Sequence, residues 1–326
     1  MQGKEASEQE TKVKSSVGID VSKDWLDVHV LPRRESIRFA NTGNGIRQLK
    51  RWLRRFDLGL VVVEATGKWH RLVWRSLHAS AIPVAVVDPF RVRMFAKAQG
   101  IFAKTDRLDA AVLAAFAVMM TPAIRPPVPE ALEELAELVA ARDSAVAEQT
   151  GLKNQRSAAK VGFLIDNLSQ RLAAVREVID VLAQEIQKRI RADEGLARRY
   201  AILTSIPSIG PAVAATLIAR LAELGSLPDK QLTMLAGLAP IADQSGERDG
   251  SRVIWGGRAS VRRMLYLAAV SAVRCNTAMG DFYKRLRAAG KPAKVAFIAV
   301  ARKLVILANI LVSQDRTWQP NAPIHA

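Results

Sequence analysis

The stretch Leu58-Gly59-Leu60-Val61-Val62-Val63 most limits how this chain can fold. An apolar, β-branched run without polar alternation suits a strand buried on both faces, so helices must cover both sides of its sheet. Upstream, residues 17–21, 25–31 and 36–40 alternate as strands do, and Ser22-Lys23-Asp24 is short and polar enough for a hairpin. Ile46, Leu49, Trp52, Leu53 and Phe56 then recur at helical spacing. A helix over 71–79, a strand over 82–87 ended by Asp88-Pro89, a helix over 91–98 and a long helix over 105–120 complete the series. Thr105 is the expected N-cap of the last. The order β-β-β-α-β-α-β-α-α implies a mixed sheet with helices on both faces.

Four carboxylates fall at marked places in that order. Asp20 sits on the first strand, Glu64 closes the run at 58–63, and Asp106 and Asp109 lie three apart at the start of the long helix, on one helical face. Clustered carboxylates are costly unless a divalent cation neutralises them, and two strand-borne acids with a helical Asp-x-x-Asp form the ligand set of a Mg²⁺-dependent phosphoryl-transfer site. Asp24, Asp27 and Asp88 compete locally. Asp27, mid-strand, is expected on a solvent face, and Asp88 at a turn before proline.

A net charge of +17 points to a polyanionic partner, nucleic acid first. With 49% hydrophobic residues the chain has material for real cores. The single Cys275 excludes an internal disulfide framework, and the four histidines lack zinc-ligand spacing. No secretory signal is visible, residues 1–16 read as a polar disordered tail, and Arg302 and Lys303 interrupt the apolar stretch 295–312, which reads as a core helix. The expectation is a cytoplasmic, nucleoid-associated protein of bacterial type with no membrane partner.

A proline-rich break at 122–129 ends the first region. Beyond it Val161, Ile165, Leu168, Leu172, Val175, Ile179, Leu182 and Ile186 alternate steps of four and three, a heptad seam for an antiparallel hairpin or a dimer-forming coiled coil. Residues 202–212 look like a helix-hairpin-helix, whose turn offers backbone N–H groups to a DNA phosphate, with Ser208 and Gly210 at the turn positions. A polar, glycine-punctuated loop over 241–250 follows, then Trp255-Gly256-Gly257-Arg258 and a helix for which Ser260 is the expected N-cap. From Gly246 to Lys303 thirteen Lys or Arg face three acids, Glu247, Asp249 and Asp281, the footprint expected of phosphate contacts.

With both ends read, the chain resembles the insertion-sequence recombinases of the IS-one-ten group, relatives of the pilin-gene invertase. The resemblance spans roughly residues 17 to 312. It rests on Gly18-Ile19-Asp20-Val21-Ser22-Lys23, Glu64-Ala65-Thr66-Gly67, Lys104-Thr105-Asp106-Arg107-Leu108-Asp109-Ala110, and Ser245-Gly246 with Gly257-Arg258 and Arg262 downstream. It implies a ribonuclease H-like, RuvC-like domain over 17–125 holding Mg²⁺ on the DEDD set Asp20, Glu64, Asp106 and Asp109. Coiled-coil helices over 126–198, a mainly helical C-terminal transposase domain over 199–312 and a tail over 313–326 follow, an α/β plus α architecture. It further implies that Ser245 is the nucleophile, leaving a 5′-phosphoserine and a free 3′-OH that later religates. Lys104, Ser208, Gly210, Gly246, Arg248, Arg252, Gly257, Arg258, Arg262 and Arg263 are the expected nucleic-acid contacts, with Arg258 or Arg262 bracing the transition state. Donor and target DNA, a structured guide (bridge) RNA and a dimeric or tetrameric assembly are the implied partners. The alternative is a Mg²⁺-dependent, structure-selective DNA nuclease of the Holliday-junction resolvase kind, with no covalent intermediate.

Overall fold

The computed structural model describes residues 14–101, 106–241, 244–245, 248–249 and 253–319, with backbone alone at 106–108, 244–245 and 248–249. The chain divides into two compact units between Pro127 and Val128, within the proline-rich break.

The first unit is built on β1 (Ser15–Val21), β2 (Trp25–Leu31), β3 (Glu35–Ala40), β4 (Leu58–Glu64) and β5 (Val84–Val87). They form one mixed sheet in the order β3-β2-β1-β4-β5. The hairpin partners β1–β2 and β2–β3 are antiparallel, while β1–β4 and β4–β5 are parallel. α1 (Gly43–Leu53) and α2 (His70–His78) cover one face; α3 (Pro89–Ala98) and α4 (Asp106–Met120) cover the other. Strand alternation divides the side chains between the two layers. Val17, Ile19, Val21, Leu26, Val28, Val61 and Val63 pack with Ile46, Leu49, Leu53, Val73 and Leu77, whereas Val62 and Val87 pack with Val112, Leu113 and Phe116. Val61, Val62 and Val63 are each 0% exposed, so β4 is buried on both faces as its composition requires. Each such side chain contributes about 1.5–3 kcal/mol of burial.

Local chemistry sets the ends. Thr42 caps α1 by accepting from the Gly45 N–H. Asp88, whose carboxylate accepts from the Phe90 and Arg91 N–H groups, caps α3 with Pro89 at its first position. Thr105, the expected cap of α4, lies outside the described residues.

The second unit is mainly helical. α5 (Glu130–Ala158) and α6 (Gly162–Ala192) form an antiparallel hairpin, with Leu152 packed on Leu168 and Leu172 near its turn and Arg189 paired with Glu134 at the far end. Of the expected seam, Leu168, Leu172 and Ile186 are buried, Ile165, Val175, Ile179 and Leu182 are partly buried, and Val161 at its start is exposed. α7 (Glu194–Ser205), α8 (Pro211–Arg220) and α9 (Asp229–Leu235) follow. Then come four two-residue strands, β6 (Pro240–Ile241), β7 (Gln244–Ser245), β8 (Arg248–Asp249) and β9 (Val253–Ile254). α10 (Ala259–Cys275), α11 (Thr277–Ala288) and α12 (Ala293–Ser313) end the unit. α12 is the one helix among the described residues long and apolar enough to cross a membrane, and it is the core helix its interrupting cations suggested: Ala296, Val300, Ala301, Leu304, Val305 and Ala308 are all 0% exposed. Asn309, buried on the same helix, donates to the Leu227 carbonyl and to Asp229, and accepts from the Gly225 N–H.

Candidate active site

Register decides where the acids stand. On β1, Gly18 faces α4: a Cβ there would lie 2.1 Å from the Ala110 carbonyl oxygen and 2.3 Å from the Ala114 nitrogen. Asp20, two residues on, shares that face. On β4 the parity of Val62 sends Glu64 to the same face. Ile19 pairs with Val63 in the parallel β1–β4 ladder, so Asp20 and Glu64 follow side by side where the two strands end. Asp109 directly precedes Ala110, the residue packed on Gly18, at the N-terminal end of α4. Three of the four expected carboxylates therefore gather at one end of one sheet face. The backbone of Asp106 opens the same helix, and its side chain lies outside the described residues, as does Lys104.

A fifth acid shares this face. Asp27 is not on a solvent face: it is 8% exposed, pairs directly across from Asp20, and receives two bonds of 2.8 Å from Arg38 on β3. Alternation on β2 puts Leu26 and Val28 in the α1/α2 core and Asp27 beneath the α4 layer, where Arg38, its ladder partner, neutralises it. Next on that strand face, His29 meets the Ser36 hydroxyl through Nδ1 at 2.7 Å. Burial first, then the nearby Arg34 cation, lowers its pKa below the ordinary imidazole value. The donors offered by Asp20, Glu64 and Asp109 are all hard oxygens, the chemistry that suits a divalent cation such as Mg²⁺. Among the described residues no group of three or more His, Cys, Asp or Glu is spaced to hold a metal.

In the second unit Ser245 lies on β7, and its backbone pairs with Arg248 on β8. Outside this ladder, β6 pairs with β9 through Pro240–Ile254 and Ile241–Val253, so the expected loop has strand-paired stems. The side chains of Ser245 and Arg248, and the residues Gly246 and Arg252, lie outside the described residues. Gly257 has a φ of +66°, and a Cβ there would lie 2.3 Å from the Gly237 nitrogen. This close approach ties the end of α9 to the start of α10 and lets the Arg258 N–H reach the Leu235 carbonyl at 2.7 Å. Arg258 itself grips Glu223 with two bonds of 2.6 and 2.7 Å and donates to the Arg220 carbonyl. Arg262 donates to the Gly256 carbonyl, and Arg263 and Arg220 both lie 3.1 Å from Asp143 Oδ2 as ion pairs that lack hydrogen-bond alignment. The cap position of α10 belongs to Arg258, with no side-chain cap bond, so Ser260 is inside the helix. In the turn between α7 and α8, Ser208 has a φ of +86° and a buried hydroxyl that makes no hydrogen bond, while Gly210 is the extended N-cap of α8.

Comparison with known proteins bears on both units. A family model described as Transposase, for the DEDD domain of IS110 elements, matches residues 17–159. A second, described as Transposase IS116/IS110/IS902 family, matches residues 200–284. The chain belongs to the IS110 family of transposases. The pilin gene-inverting proteins of Moraxella bovis and Moraxella lacunata are each 26% identical to it over 94% of this chain and 98% of their own. An insertion element IS116 protein of Streptomyces clavuligerus is 29% identical over 58% of this chain and 47% of its own. This transposase is therefore a DNA-cleaving and rejoining enzyme of an insertion sequence, and its DEDD domain points to use of a divalent metal.

Sequence reasoning missed Asp27–Arg38 and the contact at Gly18. The first had a signal, since pairing residues 25–31 against 36–40 antiparallel sets Asp27 opposite Arg38. The second depends on where α4 lies, which no local pattern encodes.

Proposed function

We propose that this transposase cuts DNA by attack of the Ser245 hydroxyl on a phosphodiester, with Asp20, Glu64, Asp106 and Asp109 holding Mg²⁺ at the same phosphate. The supporting observation is the convergence of Asp20, Glu64 and Asp109 at one end of the face that α4 covers. The sheet order β3-β2-β1-β4-β5 with acids at these positions also supports the ribonuclease H-like, RuvC-like reading. In the reaction Ser245 Oγ forms a bond to phosphorus, its proton is lost to base, and the P–O3′ bond breaks as the leaving 3′-oxygen takes up a proton. The products are a 5′-phosphoserine and a strand ending in 3′-OH; attack by a 3′-OH on the phosphoserine reverses the step and returns the serine. No net bond energy is lost, so rejoining needs no nucleotide triphosphate. A serine hydroxyl is a weak nucleophile and needs activation, and bound Mg²⁺ supplies Lewis-acid polarisation of the phosphate oxygens. The acids fix the cation, and Asp27, already neutralised by Arg38, adds no further negative charge to the set.

Donor and target DNA are the substrates. An element-encoded bridge RNA is the proposed guide and a dimer or tetramer the working assembly, because recombination needs several strands cut together. We place the protein in the cytoplasm, with the nucleoid DNA. Ser208, Gly210, Gly246, Arg248, Arg252, Gly257, Arg262, Arg263 and Lys104 are the proposed nucleic-acid contacts. Arg258 serves the fold through Glu223 and contributes less to binding.

The test uses duplex DNA carrying the element ends, quenched in detergent. Protein-linked DNA with an extendable 3′-OH is expected, and Ser245→Ala should abolish it. Cut DNA with two free ends, unaffected by Ser245→Ala, would instead establish hydrolysis of the nuclease kind.

A further inference from the structure

Trp25 is a half-exposed aromatic on the strand face that carries the acids. Its side chain shares the β2 face with Asp27 and is 47% exposed, while Leu26, the next residue, is fully buried in the opposite core. Asp20 pairs with Asp27, so Trp25 is the diagonal neighbour of Asp20, about 7–8 Å away between Cα atoms. The turn that carries Trp25 is pinned: the Trp25 backbone N–H donates to the Ser22 hydroxyl at 3.0 Å, and the Asn41 side-chain amide donates to the Ser22 carbonyl. The Arg38 guanidinium lies 5.7 Å from the ring centroid and is locked by Asp27, yet its side chain remains 47% exposed. An exposed tryptophan flanked by an immobilised, half-exposed arginine is the pairing that stacks a base and meets its phosphate.

We propose that Trp25 and Arg38 form a shelf for one unpaired nucleobase and its adjoining phosphate, on the strand that is presented to Asp20 and Glu64. The inference rests on reading those acids as a nucleic-acid-cutting site. The shelf selects strands that are opened near the scissile phosphate, because the π-face of a paired base is covered by its neighbours. Asp27 is the positioning residue: it fixes Arg38 over the ring and does not touch the strand.

The experiment measures binding of the full chain in EDTA, so no cleavage occurs and the outcome is independent of Ser245 chemistry. The probes are short single strands of identical sequence, in DNA and RNA forms, each made with an abasic site stepped along its length or with 2-aminopurine at the same positions. One abasic position should weaken wild-type binding by about tenfold, within the range of one base stacked on an aromatic ring. In Trp25→Ala the same abasic position should cost nothing, and the quenching of 2-aminopurine there should disappear. Trp25→Phe should retain both effects. Whichever of DNA and RNA shows the larger loss identifies the strand that uses the shelf. The proposal is overturned if no abasic position weakens the wild-type protein in either form. It is equally overturned if Trp25→Ala weakens a fully paired duplex as much as a single strand. Failure of the Ser245 adduct with this pattern intact would remove the proposed chemistry and leave the shelf.

Discussion

Replacing Gly18 by alanine should damage the site without touching any acid. The new Cβ would fall 2.1 Å from the Ala110 oxygen, 2.3 Å from the Ala114 nitrogen and 2.7 Å from the Leu113 Cβ. Two of these are backbone atoms of a helix, so no side-chain rotation relieves the clash. Restoring an ordinary contact of about 3.4 Å requires α4 to move off β1 by roughly 1.3 Å. The inner face of α4 cannot follow cheaply, since Leu113 and Ala114 are 0% exposed and Phe116 1%. Overpacking of this kind costs about 1–3 kcal/mol, and the backbone clash places Gly18→Ala near the upper figure. For a unit of this size the melting midpoint should fall on the order of 10 °C. Asp109 rides on α4 and Asp20 on β1, so the same displacement separates them. A misplacement of about 1 Å costs roughly 10²-fold in rate. Gly43→Ala is the control, because its Cβ meets only the Arg47 side chain at 3.8 Å. Thermal denaturation and a strand-cleavage assay on both variants give the answer. If Gly18→Ala melts and cuts like Gly43→Ala, the packing of α4 against β1 described here is wrong.

Other consequences are smaller. Glu223→Ala and Arg258→Ala should each lower stability by about 1–2 kcal/mol, allowing for solvent access to the pair. A double-mutant cycle should return a coupling of about 1 kcal/mol in urea titrations, and independent effects would refute a structural Arg258. Ser208→Gly should raise stability by about 1 kcal/mol by removing a side chain from a left-handed turn position, read by the same titration; a loss would show that the hydroxyl has a partner. The folded-state pKa of His29 is depressed, so its contribution to stability is full above the unfolded value of about 6.5 and is lost as pH falls through the folded one. His29→Gln should therefore flatten the stability profile below about pH 6.5, and an unchanged profile would contradict the assignment.

The first unit was largely legible because each strand carries its own signature. The continuous run at 58–63 could only be a strand covered twice, and the alternation at 17–21 and 25–31 set which residues face α4. What alternation does not reveal is what covers a face. Asp27 reads as a solvent-facing acid, yet it sits beneath the α4 layer with Arg38 across the ladder, and Gly18 reads as one more strand residue until a helix backbone lies against it. The C-terminal unit was harder. Of the thirteen cations from Gly246 to Lys303, Arg258 and Arg263 pair with Glu223 and Asp143 and Arg287 donates to the Lys291 carbonyl, partners that a count of charges does not reveal. Ser260 reads as the natural cap after two glycines, but the left-handed turn at Gly256 and Gly257 hands the cap position to Arg258, two residues sooner.

Mass spectrometry of the peptide that contains Ser245, after nuclease digestion of a quenched reaction, tests most directly whether acids and serine serve one chemical step. The account predicts a nucleotide 5′-phosphate mass on Ser245 in the presence of Mg²⁺, reduced at least 10²-fold in Asp20→Asn and Glu64→Gln proteins that still bind DNA. An adduct that forms undiminished in those variants would contradict it.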